Sequence, residues 1–524
     1  MINEHADVLI SDELKSIYFE SQDTVLTEEG VLLTCNLDSN AIEKIKQVIA
    51  THYQDYPSLL GKVLKVVHTD ALTITEMIER LTRQVQGPRW DDKTLSTIGR
   101  DVVDMLSKTV ERGASDIHIE LYAKETRLLI RVDGRLVELR KAIPEYEYGN
   151  NLIGYLFNEK AQDTDGDFYV NKTNNGRIVM ELDTPYKDEN GETHWVKRDT
   201  LWRISYIYAK DKGGQATLRW LNKDLTIPKL DSLGWEPGHV AAMRAFMRSA
   251  SGACLMAGQV GSGKTTAIAS ALSEVKDSGR AINTIEDPVE VDIGVMQTSV
   301  QGDNDELDAL VRLLLRHDGD IEFHGEMRTQ AGAMAVCRKA ETGQLMLATL
   351  HTSSASGIAH TMNEQMAVPL ALITAPDLMK LWIYQTLVRT LCPHCSLTLA
   401  QVQAHWTPNE RVQFERWQSV YEGSETLRFR RREGCEHCIE GEKGRTSLVE
   451  MIVLDDEDRH YIIKKDYLNW GEALKKKGFK SVLDHANLKI NRGEVDLFTA
   501  SERVNGLFEQ AASSVYATFF EEAR

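Results

Sequence analysis

The sequence predicts a multidomain chain whose largest part is an α/β core, preceded by an α+β domain and a smaller N-terminal α/β module. Three observations carry this. The chain has 524 residues, too many for one hydrophobic core. From Cys254 onward, short apolar stretches alternate with helical patterns, the signature of a parallel sheet with helices packed against it. The first of those stretches runs straight into a complete Gly-x-x-x-x-Gly-Lys-Thr at Gly258 to Thr265.

Composition sets the class. Hydrophobic residues make up 42% and charged residues 27%, as in a globular protein and unlike a disordered or fibrous one. The formal net charge of -18 opposes broad, sequence-independent nucleic-acid binding, which needs a positive surface to release counterions. Met1 to Leu9 carries Glu4, His5 and Asp7 with no basic stretch before an apolar one, so no secretory signal is expected there. The apolar run Leu370 to Val388 is interrupted by Asp377 and Lys380, and reads as a packed helix rather than a membrane span.

In chain order, residues 1–92 are expected to form the N-terminal module, read as partner-binding. Ile74, Met77, Ile78, Leu81 and Val85 recur there at helical spacing, and Val85 to Asp92, with Gly87 and Pro88, reads as a linker. The α+β domain is expected over 93–227. It opens with a helix from Leu95 to Arg112 bearing Ile98, Val102, Met105 and Leu106, and Gly113 stands where a left-handed cap belongs. Asp116 to Glu120 alternates as a strand, and Asp133-Gly134 between Leu128–Val132 and Leu136–Leu139 predicts a two-residue hairpin. Further strands are expected at Ile178–Leu182, Leu201–Tyr208 and Ala216–Trp220. Residues 228–240 read as a connector and 241–524 as the core domain, with a subdomain at 388–447.

The glycine-rich loop has a direct chemical reading. Gly258, Gly261 and Gly263 let backbone amides wrap a phosphate chain, with Ser262, Thr265 and Thr266 beside them and the helix N-terminus behind. Lys264 would reach the β- and γ-phosphates and Thr265 would ligate Mg²⁺, so ATP and Mg²⁺ are the expected substrate and cofactor. Glu286, after Ala281–Ile285, and Glu326, after Ile321–Gly325, each close a strand, where ligands of parallel sheets gather. Two carboxylates there can hold the Mg²⁺ shell and orient the attacking water. His351 follows Leu345–Leu350 at the same edge.

The neighbouring motifs resemble the type II secretion and type IV pilus assembly ATPases from about Leu95 to Met451. The resemblance rests on Gly113-Ala114-Ser115-Asp116-Ile117-His118-Ile119-Glu120, Arg131-Val132-Asp133-Gly134 and Leu230-Asp231-Ser232-Leu233-Gly234. It continues through Ile285-Glu286-Asp287-Pro288-Val289-Glu290, Gly325-Glu326-Met327-Arg328, and Thr342-Gly343-Gln344 with Thr349-Leu350-His351-Thr352. It implies a RecA-like ATPase core behind a PAS-like domain. In roles, it implies Glu326 as the residue that polarises water, Glu286 as its partner and His351 as a γ-phosphate contact. Arg203 and Arg219 match arginines that closure of the second domain brings to the phosphates; Arg312, Arg316 and Arg328 are further candidates. It also implies a homo-hexamer, cytoplasmic and held at the inner membrane by a platform protein, with other pilus or secretion machinery meeting the N-terminal module and no direct nucleic-acid contact. A type IVb or conjugative thin-pilus branch fits the divergence. Gly319 stands where proline is usual, Glu322 and His324 interrupt a normally apolar strand, and Thr329 replaces an acid. Buried polar residues need partners.

The chain has seven cysteines, four of them in Cys392-Pro-His-Cys395 and Cys435-Glu-His-Cys438, separated by about forty residues. Each pair can give two thiolates to one Zn²⁺, closing a tetrahedral structural site, with His394 and His437 as alternative ligands. The resemblance supports the four-cysteine set, since the assembly branch carries such a module ending in a glycine-arginine like Gly444-Arg445. A pilus retraction ATPase would generally lack it. A nucleic-acid-translocating motor and an ATP-binding scaffold without turnover are the remaining alternatives.

Overall fold

The structure is a computed structural model. It describes residues 8–519 except 72, 75–76, 79–91, 188–192, 210–212, 224–225, 301–308, 311–312 and 314–315. The chain divides into two compact units, Met1–Val102 and Val103–Arg524.

In the first unit, α1 (Asp12–Ser21), β1 (Thr24–Leu26), β2 (Val31–Thr34), α2 (Asn40–Thr51) and β3 (Lys65–His68) build a small α/β layer. Its sheet runs β1-β2-β3, antiparallel then parallel. Leu14, Tyr18, Leu32, Ile42, Ile45 and Ile49 fill one core. Of the expected helical stripe, Ile74, Met77 and Ile78 are buried in that core, whereas Leu81, Val85 and the expected linker at 85–91 lie outside the described residues.

Helix α3 (Asp92–Glu111) ends as expected. Gly113 takes φ +62°, and the Ala114 and Gly113 amides donate back to Thr109 and Val110, so the last carbonyls are met by a Schellman-type cap. Next come β4 (Asp116–Tyr122), β5 (Glu125–Val132), β6 (Arg135–Ile143), α4 (Tyr146–Tyr155), β7 (Ala161–Gln162), β8 (Asn174–Lys187), β9 (Thr193–Ala209) and β10 (Gly213–Trp220). They form an antiparallel sheet in the order β6-β5-β4-β10-β9-β8-β7. Asp133 and Gly134, both at positive φ, turn β5 into β6 as a two-residue loop.

The hairpin tip docks on the cysteine module. Asp133 accepts from the Gly444 amide at 2.7 Å, and Arg135 donates to Glu442 at 2.8 Å and to Glu440. The Glu442 side chain is 2% exposed and also accepts from Arg389 at 2.7 Å and Thr499 at 2.5 Å.

The core sheet and the helices on it are built from α5 (Pro237–Met247), β11 (Gly252–Ala257), α6 (Lys264–Ser273), β12 (Ile282–Glu286), β13 (Met296–Ser299), β14 (Ile321–His324), α7 (Gln330–Glu341) and β15 (Leu345–Leu350). They are followed by α8 (Leu370–Ile373), β16 (Met379–Leu391) and β17 (Glu442–Val453). The sheet runs β13-β12-β14-β15-β11-β16-β17, parallel up to β16 and closed by antiparallel β17. Residues of β11 alternate between two cores. Cys254 and Met256 meet α6, while Ala253, Leu255 and Ala257 meet α7.

One expectation is corrected here. Leu370 to Val388 is not one packed helix. A single helical turn ends at Ile373, and Met379–Leu391 is a buried strand beside β11. A mostly apolar run has no clear period to separate helix from buried strand. Trp382, Ile383, Tyr384, Thr386 and Val388 supply the β-branched and aromatic bias that decides it. Among the described residues, no helix is long and apolar enough to cross a membrane.

Of the polar residues of β14, Glu322 has a charged partner. The Glu322 side chain is fully buried and accepts from Lys339 on α7, with His324 Nε2 3.6 Å from its other oxygen. A β-carbon at Gly319 would come within 2.8 Å of Glu322 Oε1, so the glycine makes room for the carboxylate.

Candidate active site and tetracysteine centre

The loop from Gly258 to Thr265 leaves β11 and enters α6. Gly258, Gly261 and Gly263 have φ of +156°, +73° and +79°, a backbone that side chains resist. At Gly258 a β-carbon would also strike the Gln385 carbonyl at 2.4 Å. Gly263 caps α6 without a side-chain hydrogen bond, so the first-turn amides are left for an anion. Ser262 Oγ is buried without a protein partner at the same place. Lys264 donates back to the carbonyls of Gly258 and Gln259, at 2.9 and 3.2 Å. Burial pulls its pKa below the ordinary lysine value, against the opposing pull of Glu326 and Glu290.

Gln385, a polar residue inside apolar β16, braces the loop. It donates to the Ser262 carbonyl at 2.7 Å and accepts from Trp235 Nε1 at 2.7 Å. Sequence reasoning missed it, although one amide in Trp-Ile-Tyr-Gln-Thr-Leu-Val was the available signal. A cavity beside α6 is lined by Thr265, Thr266 and Ala269, by Leu221 and Ile227, and by Pro228 of the connector.

Three strand ends bring the expected side chains together. His351, after β15, places Nδ1 2.9 Å from the Gly258 carbonyl and Nε2 3.1 Å from Glu326. Both contacts are hydrogen bonds only when both ring nitrogens carry protons. Glu326, after β14, also accepts from Arg328 at 2.6 Å, and Arg328 reaches Asp287 at 3.4 Å. Burial raises the Glu326 pKa, but Arg328, His351 and Lys264 outweigh it and the net shift is downward. The carboxylate is therefore held ionised next to the phosphate loop.

Glu286, at the end of β12, differs. It is 3% exposed and accepts from Thr284 at 2.6 Å and Gln297 at 3.0 Å, while its Oε2 is buried without a partner. Burial raises its pKa, and the two hydrogen bonds only partly oppose this. Thr284 shares a face with Glu286 through strand alternation, so this contact was legible; Gln297 was not.

Arg203 and Arg219 stand elsewhere, on β9 and β10. Arg219 donates to Asp116 at 2.8 Å. Among the described residues, no hydrogen bond or ion pair joins either arginine to the phosphate loop. Arg316 is exposed, and Arg312 lies outside the described residues.

The four cysteine sulfurs lie within 4.8 Å of one another, with Cys392–Cys435 at 3.8 Å and Cys395–Cys438 and Cys435–Cys438 at 3.6 Å. Tetrahedral Zn–S bonds of about 2.3 Å set sulfurs about 3.8 Å apart, so the residues fit Zn²⁺. The insert between the pairs folds onto the C-terminal part of the chain, where Trp406, Phe414, Trp417, Leu427 and Phe429 share a core with Ala486, Ile490 and Leu497. That explains the long spacing.

A strand–glycine loop–helix on a parallel sheet, with a lysine at the helix start and acids at adjacent strand ends, defines a phosphate-loop nucleoside triphosphatase. The chain belongs to the Type II/IV secretion system protein family, whose model matches residues 188–511. It is 28% identical over 409 residues to the type IV pilus assembly ATPase PilB of Pseudomonas aeruginosa, covering 78% of this chain and 66% of that one. It is 30% identical over 372 residues to type II secretion system protein E of Klebsiella pneumoniae, covering 70% and 68%. In fold it is similar to the solved structure of the Legionella pneumophila ATPase DotB, with a TM-score of 0.51 at 18% identity over 77% of this chain and 95% of that one.

Proposed function

We propose that this chain is the ATPase motor of a type IV pilus assembly or type II secretion machine. In this reading it works in the cytoplasm as a homo-hexamer, held at the inner membrane by a platform protein, with the RecA-like core closing against the PAS-like sheet. Residues 1–92 would meet other parts of the machinery. The observation that carries the catalytic part is His351, which touches both the phosphate loop and the ionised Glu326.

Lys264 exchanges its loop carbonyls for the β- and γ-phosphates. Thr265 and Glu286 would hold Mg²⁺, which would supply charge neutralisation of the phosphates when bound. Glu326 accepts a proton from water as the water oxygen bonds the γ-phosphorus. The bond to the β-phosphate oxygen breaks, giving ADP and phosphate. Arg203 and Arg219 oppose the charge that develops. The four cysteines would bind Zn²⁺ and favour the assembly branch.

The test is phosphate release by the purified, zinc-replete full chain with Mg·ATP. Wild type is expected to turn over, and Lys264→Ala to lose turnover by about 100-fold or more. Equal rates in both would overturn the site assignment.

A further inference from the structure

The register of the antiparallel sheet lines up five residues on five neighbouring strands. Arg131 on β5 is opposite Asp116 on β4, Asp116 is opposite Arg219 on β10, Arg219 is opposite Arg203 on β9, and Arg203 is opposite Arg177 on β8. Directly opposed residues of antiparallel strands project to the same face. Four guanidinium groups and one carboxylate therefore share a row on the solvent side, while Trp202, Ile204, Ile117 and Leu218 are buried on the other.

Two of these pairs, Arg219–Arg203 and Arg203–Arg177, set like charges face to face, which disfavours the sheet. Asp116 answers only part of that charge. Its side chain is 5% exposed, its Oδ1 accepts from Arg219 Nε at 2.8 Å, and its Oδ2 lies 3.9 Å from Arg131 Nε. Ser115 Oγ donates to the same Oδ2 at 2.7 Å, fixing the carboxylate. Among the described residues, no carboxylate lies within ion-pair distance of Arg203 or Arg177.

A row with this excess of positive charge fits a ligand with several closely spaced negative charges. Strands are about 4.8 Å apart, so Arg219, Arg203 and Arg177 span about 10 Å, the scale of a polyphosphate chain. The Asp116 bond engages Arg219 through Nε, which leaves the two terminal nitrogens of the planar fork for phosphate oxygens.

We infer that Asp116 is a positioning residue that fixes Arg219 for the transition state, and that Arg177 is a third arginine facing the triphosphate beside Arg203 and Arg219. This rests on the ATPase reading above. Asp116 touches no substrate; it removes the orientational freedom of a long side chain before the nucleotide arrives. Arg177 extends the row past the two arginines already identified.

The test is steady-state ATP hydrolysis by the full zinc-replete chain, with nucleotide affinity measured separately with a fluorescent ATP analogue. Arg177→Ala and Asp116→Ala are each expected to lower kcat by at least about tenfold while KM and affinity stay within about threefold. Arg177→Lys should recover part of the loss, and so should Asp116→Asn, which keeps an acceptor for Nε. Arg177 sits at the sheet surface, so its variant folds even where Asp116→Ala does not. Wild-type kcat in Arg177→Ala, or a loss carried by KM alone, overturns the inference while leaving the ATPase reading intact. Absence of turnover in the wild type overturns the ATPase reading itself.

Discussion

Two groups of basic side chains in the larger unit differ in how their charge is met. In the core, Lys264 donates to the carbonyls of its own loop, Arg328 is divided between Glu326 and Asp287, and Lys339 is buried against Glu322. In the antiparallel sheet, Arg219, Arg203 and Arg177 stand side by side with one carboxylate at the end of the line. The core cations are satisfied before nucleotide arrives, so binding must exchange partners there. In the proposed reading, the sheet cations gain a partner when nucleotide binds, and that difference would give domain closure its electrostatic drive.

The comparison predicts opposite responses to losing a positive charge. The largest effect on folding is expected in the core. Lys339→Met strands the Glu322 carboxylate and should cost about 3–5 kcal/mol of stability, measured by denaturant unfolding, whereas adding Glu322→Leu should recover most of it. If Lys339→Met were neutral, the pair would not be the buried ion pair described. In the sheet the loss should fall on turnover. Arg203→Ala is expected to lower kcat by about 100-fold. Its folding stability should be unchanged or raised by a few tenths of a kcal/mol, because two like-charge contacts disappear. A fall in thermal midpoint with normal kcat would reverse the comparison.

A third case lies between these. Arg135 joins the sheet's hairpin to Glu442 of the cysteine module, and its side chain is 13% exposed. Arg135→Ala should cost about 1–3 kcal/mol and loosen the hairpin, seen as faster amide exchange at Asp133 to Leu136. Protection equal to wild type would argue against the clasp.

The smallest effect concerns pH. The Glu326 carboxyl is held below its ordinary pKa of 4.5, so its ion pairs contribute stability that is full above that value. The contribution is lost as pH falls through the folded value. The stability gap between wild type and Glu326→Gln should therefore narrow on acidification below about pH 4.5. A gap that widens would contradict the sign.

Most of the site was legible because its chemistry is local. A strand, a glycine loop and a helix in succession fix Lys264 and Thr265, and strand ends fix Glu286, Glu326 and His351. Each Cys-x-x-Cys was legible by its spacing, while joining the two pairs across the long insert rested on the family resemblance. What the sequence hid depends on contacts distant along the chain. Lys339 answers Glu322 from a neighbouring helix, Gln385 braces a loop more than a hundred residues earlier, and Arg135 meets Glu442 across most of the chain. The strand at Met379–Leu391 was hidden for another reason: a mostly apolar run with few polar positions sets no clear period. The arginine row needed a register, which composition and motifs do not supply.

In the proposed mechanism Glu326 acts on water after Lys264 has taken hold of the triphosphate. The most direct test of this step is Glu326→Gln in the full chain, with Mg·ATP binding and single-turnover hydrolysis measured on one preparation. Binding close to wild type with hydrolysis slowed by about 100-fold or more is expected. Wild-type hydrolysis in that variant would contradict it.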